Sequence, residues 1–248
     1  MGVSLNILLQ TYKMFKLPKR RDSSTIFSRV HEHTRKSLIK IVTVAELFKP
    51  IEKILYINLE KRPDRRAQME AQFRSLGIPP EKIVRIEAVP NALGALGCTR
   101  SHIKALSWAK SQQLKNVLIL EDDFDFIPQH LARNLDYLSG FVNEPWDVIM
   151  FSANPRILEP HNQMIMRVRC ALTTAGYLVH QRYFDTLLEN YYQSSSLLEQ
   201  SRAGHFHALD VWFQPLQRRD AWFIFIQRMG LQRASFSDVE NRYVNYQC

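Results

Sequence analysis

Four carboxylates crowd the segment that follows a short apolar run in the middle of the chain. The run 117–120 is typical of a buried strand, and it is followed by Glu121, Asp122, Asp123 and Asp125. Like charges at this density raise one another's pKa unless a cation lies among them. Carboxylate oxygens suit Mg²⁺ or Mn²⁺, which can in turn bind a diphosphate. Because ligands of open α/β sheets bind beyond the carboxyl ends of strands, we prefer a metal site here to a solvated acidic loop.

A cluster of the opposite charge follows an earlier predicted strand, 53–58. The turn after it and the start of the next helix contain Lys61, Arg62 and Arg65. Pro63 is tolerated at that helix start because the first N–H of a helix has no partner within the helix. Cations beside the free N–H groups of a helix start can bind a phosphate, although solvated basic residues are also common there. With the acidic cluster, this turn would suit a nucleotide diphosphate bridged by a divalent cation. The sequence has no glycine-rich P-loop and no GxGxxG motif.

Strand and helix patterns alternate from residue 53 onward. Further strands are predicted at 83–89, 117–120, 147–151, 175–179 and 222–226. Helices are predicted from Pro63, over 103–113 with Thr99 or Ser101 as the cap, from Pro128, and near 183–192 and 209–217. This order predicts an α/β fold with a mainly parallel sheet and helices on both faces.

The net charge of +9 is concentrated at the N-terminus, where residues 1–50 hold ten Lys/Arg and three acids. We therefore predict a basic N-terminal extension, residues 1–50, and a globular domain, residues 51–248. The extension lacks the ~18-residue apolar run of a membrane span, and its charges follow its apolar stretch, unlike those of a signal peptide. A disordered arm and peripheral contact with an anionic membrane both remain open, whereas nucleic-acid binding is not predicted.

Cysteine usage bears on the cellular compartment. Cys98, Cys170 and Cys248 are far apart and odd in number, so no disulfide framework is expected. Ordinary thiols indicate a reducing compartment, and we predict a cytoplasmic location.

Eight short motifs carry a family resemblance. They are INLEKRPDRR (57–66), FRSLGI (73–78), IEAV (86–89), GCTRSHIKALSWA (97–109), VLILEDDFDF (117–126), TTAGYLVHQRYFDTLLE (173–189), HALDVWF (207–213) and GLQRASFSDVE (230–240). In this order, over roughly residues 53–240, the chain resembles glycosyltransferase family 25. That family includes bacterial lipooligosaccharide β-galactosyltransferases and procollagen galactosyltransferases.

The resemblance implies a GT-A-like nucleotide-sugar-binding fold, a UDP-sugar donor and Mn²⁺ or Mg²⁺. It further implies inverting transfer of a hexose, galactose or glucose, to a glycan, a lipid-linked saccharide or a hydroxylysine of a collagen-like acceptor. By position, the implied donor-binding residues are Asn58, Lys61, Arg62, Arg65, Arg100, Ser101, His102, Asp122, Thr174 and Gly176, and the implied metal ligands are Asp123 and Asp125. The small residues of the TTAG segment would leave room for a sugar.

Inversion requires a base for the acceptor hydroxyl, on the side opposite the diphosphate. Asp210 is our prediction for this base, with simple capping of a helix as its alternative role, and Asp238 is the substitute. Two further functions stay open for the chain. One is a metal-dependent phosphohydrolase that uses the same acids, and the other is a non-catalytic member that binds carbohydrate.

Overall fold

The computed structural model describes residues 47–141, 145–237 and 242–245 of this chain. The first 46 residues, Asp238 and Cys248 lie outside the described residues. Phe48 and Ile51 are fully buried, so the packed core already includes residues just before position 51. The predicted division at residue 50 and the role of the basic extension stay predictions.

The strands and helices follow one another as the alternating pattern predicts. The strands are β1 (Lys53–Asn58), β2 (Ile83–Glu87), β3 (Asn116–Glu121), β4 (Phe124–Phe126), β5 (Val148–Pro160), β6 (Ile165–His180), β7 (Trp222–Phe225), β8 (Gly230–Gln232), β9 (Ser235–Ser237) and β10 (Arg242–Val244). The helices are α1 (Pro63–Ser75), α2 (Gly94–Ser111), α3 (Pro128–Phe141), α4 (Phe184–Ser201), α5 (Gly204–His207), α6 (Leu209–Trp212) and α7 (Gln214–Arg219), with 3₁₀ turns at Pro80–Lys82 and Gln181–Tyr183. No helix of the described ranges combines the length and apolarity needed to cross a bilayer.

The central sheet has six strands in the order β2-β1-β3-β6-β5-β7. Strand β1 is parallel to β2 and β3, and β7 is parallel to β5. Only β6, within this sheet, runs against its neighbours, since it is antiparallel to β3, β5 and β7. The sheet is therefore mainly parallel, and the predicted α/β fold class is confirmed, whereas its GT-A-like character stays a prediction.

Apolar side chains fill both faces of this sheet. Helices α2 and α4 contribute Leu106 and Leu187 to the core on one face. Helices α1 and α3 contribute Met69 and Leu135 to the core on the other face. The prediction of helices on both faces is therefore confirmed. This layering leaves the carboxyl ends of β1, β2 and β3 together at one edge of the sheet.

Helix α2 begins nine residues earlier than predicted, at Gly94. Thr99 and Ser101 do not cap it. Inside the helix, their hydroxyl groups donate to the carbonyl oxygens of Ala95 and Gly97, four residues earlier. A side chain at Gly97 would place its Cβ 2.8 Å from the carbonyl oxygen of Val89, so the helix can approach the loop after β2 only with glycine at this position. The predicted cap was wrong because no feature of the segment 94–98 marks a helix start.

Strands β4 and β8 form a small antiparallel pair beside the acidic cluster. The ring of Phe124 in β4 is fully buried and lies against two glycines, Gly176 of β6 and Gly230 of β8. A Cβ atom at either position would overlap this ring. The room beside Gly176 is therefore taken by an aromatic side chain, which corrects the expectation that this glycine leaves space for a sugar.

We expect Gly230→Ala to destabilise the protein because the added methyl group must displace the Phe124 ring from a close-packed core. Overpacking of this kind costs about 1–3 kcal/mol, measured as the free energy of unfolding in urea. Gly140→Ala is the matched control, since a Cβ there meets nothing within 4 Å. Gly140 is in helix α3, where alanine is favoured by about 0.5–1 kcal/mol. Equal stability of the two variants would contradict the packing described for Phe124.

Candidate active site

A cavity of about 940 Å³ opens at the carboxyl ends of β1, β2 and β3. The loop after β1 contributes Lys61 to its wall, and helix α1 contributes Arg65. The end of β3 contributes the acidic cluster. The short helix α6, in the C-terminal part of the sequence, contributes Asp210. Basic and acidic side chains therefore meet in one concave site, at the place where α/β sheets bind ligands.

Asp122 is held by two partners, both predicted from the sequence as donor-binding residues. Arg65 donates to its Oδ1 at 2.7 Å, and the Asn58 amide donates to its Oδ2 at 2.8 Å. Burial raises the pKa of Asp122, and the charge and hydrogen bond of Arg65 act in the opposite direction. Because both carboxylate oxygens are occupied, Asp122 fixes the basic turn to the acidic strand end.

Asp123 differs from Asp122 because one of its oxygens lacks a partner. Its Oδ2 lies 3.4 Å from both Arg65 Nη1 and Gln232 Nε2, which are long contacts. Its Oδ1 is buried and has no hydrogen-bond partner among the described residues. Burial, together with the charge of Glu121, raises the pKa of Asp123 to about 7. A buried carboxylate oxygen without a partner is costly, and a hard divalent cation would satisfy it.

Glu121 is oriented toward the cavity by a buried chain of hydrogen bonds. Thr174 donates to its Oε1 at 2.5 Å, and His102 Nε2 lies 3.3 Å from the same oxygen. His102 in turn pairs through Nδ1 with the hydroxyl of Tyr177 at 2.8 Å, which accepts from Tyr191. Burial acts to raise the pKa of Glu121, but the bonds from His102 and Thr174 outweigh it, and the net shift is downward.

Asp210 stabilises an unusual backbone conformation in β6. Its Oδ2 accepts a hydrogen bond from the backbone N–H of Thr173 at 3.0 Å. Thr173 has φ of 75°, a left-handed conformation that is rare for a β-branched residue. Burial raises the pKa of Asp210, and the bond from Thr173 acts in the opposite direction. Strained residues of this kind persist where the surroundings hold them, commonly at functional sites.

Asp125, a predicted metal ligand, lies away from the cavity wall that the described residues form. Arg233 binds both of its oxygens, with Nη2 to Oδ1 at 2.6 Å and Nε to Oδ2 at 2.9 Å. Gln72 also donates to its Oδ1 at 2.8 Å. These three bonds satisfy the carboxylate, so the structure brings Asp123, and not Asp125, to the cavity.

The other predicted site residues also divide into those that line the cavity and those that do not. Those in the cavity wall are Lys61, Arg65, Ser101, His102, Asp122, Thr174 and Asp210. Those outside the wall, as far as the described residues define it, are Asn58, Arg62, Arg100 and Gly176. Arg62 pairs with Asp64, and Arg100 pairs with Glu199 on α4. Asp238 lies outside the described residues, and its role stays a prediction.

Glu121, Cys98 and Gln232 are among the cavity residues that were not predicted as site residues. Glu121 belongs to the acidic cluster, but the comparison by family motif selected only the aspartates. Cys98 lies one turn before His102 on α2, a spacing that places both side chains on the same face of a helix. Gln232 contacts both Asp123 and Thr173, and it belongs to the GLQRASFSDVE motif, from which only Asp238 was selected.

Comparison with known proteins identifies relatives of this chain. A Glycosyltransferase 25 family member of Drosophila melanogaster is 27% identical over 158 residues, which cover 54% of this chain and 25% of the relative. One from Aedes aegypti is 25% identical over 173 residues, which cover 56% of this chain and 28% of the relative. The chain is a relative of glycosyltransferase family 25. The family predicted from the motifs is thus confirmed, although no protein-family model matches the chain.

The chain spans about a quarter of the length of the curated relatives it matches. Among solved structures, a glycosyltransferase involved in the glycosylation of the major capsid of PBCV-1 is similar, with 16% identity and a TM-score of 0.42. The similarity covers 72% of this chain and 93% of that one.

Proposed function

We propose that the chain is a metal-dependent hexosyltransferase. It would transfer galactose or glucose from a UDP-sugar, with inversion, to a hydroxyl of a glycan, a lipid-linked saccharide or a hydroxylysine. The observation that carries the proposal is the partnerless Oδ1 of Asp123, which lies at the wall of a large cavity whose lining includes Lys61 and Arg65. The relationship to family 25 supports the transferase class.

The donor diphosphate would lie between the acidic strand end and the basic side of the cavity. Asp123 would hold a Mn²⁺ or Mg²⁺ ion, which supplies positive charge that stabilises the leaving diphosphate. Lys61 and Arg65 line the same cavity and add fixed positive charge on the side of β1. Arg65 is already bonded to Asp122, so its position does not depend on the ligand. The proposal assigns no ligand role to Asp125, because Arg233 and Gln72 occupy its oxygens.

The acceptor hydroxyl must lose its proton as it attacks the sugar. Asp210 lines the cavity on α6, and the Thr173 N–H fixes its carboxylate. It is therefore our proposed base, in agreement with the prediction from the sequence. The N-cap position of the four-residue helix is Ala208, and Asp210 is the second residue of the helix.

We expect Asp210→Asn to lower the rate of sugar transfer by roughly 10²–10⁴-fold, because the amide cannot accept the hydroxyl proton. UDP binding should be unchanged, since the amide oxygen can still accept from the Thr173 N–H. The measurement is the turnover rate in a UDP-release assay, alongside UDP affinity by calorimetry. Asp136→Asn, an exposed position on α3, is the control and should retain full turnover. Unchanged turnover in Asp210→Asn would refute its role as the base.

A screen of UDP-sugars for Mn²⁺- or Mg²⁺-dependent UDP release tests the proposed function as a whole. We expect release with one hexose donor and stimulation by an acceptor saccharide. Release of inorganic phosphate from simple esters, without dependence on a sugar, would instead identify a phosphohydrolase. Cytoplasmic location and contact of the basic extension with an anionic membrane remain parts of the proposal.

A further inference from the structure

Three side chains with different ligand atoms converge at one point of the cavity wall. Cys98 and His102 are separated by four positions on α2 and lie on one face of it. Glu121 reaches the same point from the end of β3. The Cys98 sulfur, a ring nitrogen of His102 and a carboxylate oxygen of Glu121 all lie within 4.8 Å of one another. The function proposed above uses none of these three as a metal ligand.

The distance between His102 Nε2 and Glu121 Oε1 is 3.3 Å. This lies just beyond the usual range of about 2.7–3.2 Å for an N–H···O hydrogen bond, so the bond between His102 and Glu121 is a long one. Two ligands that each lie about 2.0–2.1 Å from a tetrahedral zinc ion are roughly 3.3 Å apart. The nitrogen and oxygen already have the spacing that zinc would require. The Cys98 sulfur, within 4.8 Å of both atoms, would be the third ligand.

The surrounding residues orient two of these side chains as metal ligands are oriented. The Tyr177 hydroxyl, 2.8 Å from His102 Nδ1, engages the ring nitrogen that faces away from Glu121. This leaves Nε2 directed at the cluster, and Tyr191 holds the tyrosine hydroxyl at 3.1 Å. Thr174 fixes the glutamate through its hydroxyl. A metal-binding histidine donates its second ring N–H, so in the zinc-bound protein the Tyr177 oxygen would accept from Nδ1–H as well as from Tyr191.

We propose that Cys98, His102 and Glu121 bind a zinc ion, with the fourth coordination position open to the cavity. Sulfur and imidazole ligands select zinc over Mg²⁺ or Mn²⁺, whereas the carboxylate of Asp123 suits the harder ions. Three protein ligands and one open position are the pattern of an accessible zinc site, as distinct from a closed structural one. This proposal does not depend on the transferase activity, because it concerns the metal alone.

Titration of the chelator-treated full chain with Co²⁺ tests the proposal, because cobalt replaces zinc and reports its ligands by absorption. We expect a thiolate-to-cobalt charge-transfer band in the near ultraviolet that saturates at one equivalent and disappears when Zn²⁺ is added. Cys98→Ser should abolish the band, and Tyr177→Phe should weaken metal affinity by roughly 10–100-fold. The thermal unfolding midpoint of each variant establishes that it is folded.

Two controls locate the ion. Cys170→Ser removes the other described free cysteine, on β6 outside the cluster, and should retain the band. Asp123→Asn should retain it too, even where UDP binding is lost, which separates this site from the proposed donor site. No band in the wild-type chain, a band that persists in Cys98→Ser, or its loss in Asp123→Asn would each overturn the proposal.

Discussion

Asp123→Asn is expected to abolish the stabilisation of the protein by UDP and Mn²⁺, whereas Asp125→Asn is expected to retain it. Asp123 has a buried oxygen without a partner at the cavity wall, and Asp125 is bound by Arg233. UDP at about 100 times its dissociation constant stabilises the wild type by about 2.7 kcal/mol. For a chain of this size, that raises the thermal unfolding midpoint by roughly 5–10 °C, and thermal shift measures it directly.

The Asp125→Asn variant serves as a matched control for this experiment. It removes the same charge from a carboxylate two residues away, and it should lower the unfolding midpoint without ligand because Arg233 loses its ion pair. Its shift on adding UDP and Mn²⁺ should equal that of the wild type. A full shift in Asp123→Asn, or equal loss in both variants, would contradict the assignment of the cation to Asp123.

Arg65→Met is expected to have the largest effect on stability. Arg65 is buried and contacts two buried carboxylates, Asp122 at 2.7 Å and Asp123 at 3.4 Å. Removing one partner from a buried ion pair costs about 3–5 kcal/mol, because the remaining charge has lost its compensation. Urea unfolding measures this cost as a change in the free energy of unfolding.

Two comparisons make the result specific to the buried charge. Arg62→Met, three residues earlier, removes a pair with the exposed Asp64 and should cost less than about 1 kcal/mol. Adding Asp122→Asn to Arg65→Met should recover part of the lost stability, because it removes the carboxylate that was left unpaired. A cost for Arg65→Met no greater than that of Arg62→Met would show that the acidic cluster does not need this cation.

The sequence predicts the central strands well because they are buried on both faces. Strand β1 matches its predicted bounds, and β3 contains the apolar run 117–120. The long antiparallel pair β5–β6 was only partly predicted. The second half of β5, from Asn154 on, is largely exposed and contains Pro155 and Pro160, so it has no apolar pattern. Its strand character comes from pairing with β6, which a local pattern does not report.

The site was predicted as a region more accurately than as a set of side chains. Asp123 and Asp210 were selected from the sequence, and both line the cavity. Asp125 was selected by the same reasoning, yet its partner Arg233 lies 108 positions further along the chain. The spacing within a motif predicts where several carboxylates lie close together. It does not predict which carboxylate is already bound by a residue from a distant part of the sequence. Glu121 was not selected from the sequence, because its orientation toward the cavity depends on hydrogen bonds from His102 and Thr174.

A crystal structure of the protein grown with Mn²⁺ and UDP tests the central claim most directly. Anomalous scattering from manganese should give a peak within about 2.2 Å of Asp123 Oδ1, with the diphosphate between it and the side of the cavity formed by Lys61 and Arg65. Manganese bound at Asp125, or a cavity without nucleotide at saturating UDP, would contradict the proposed donor site.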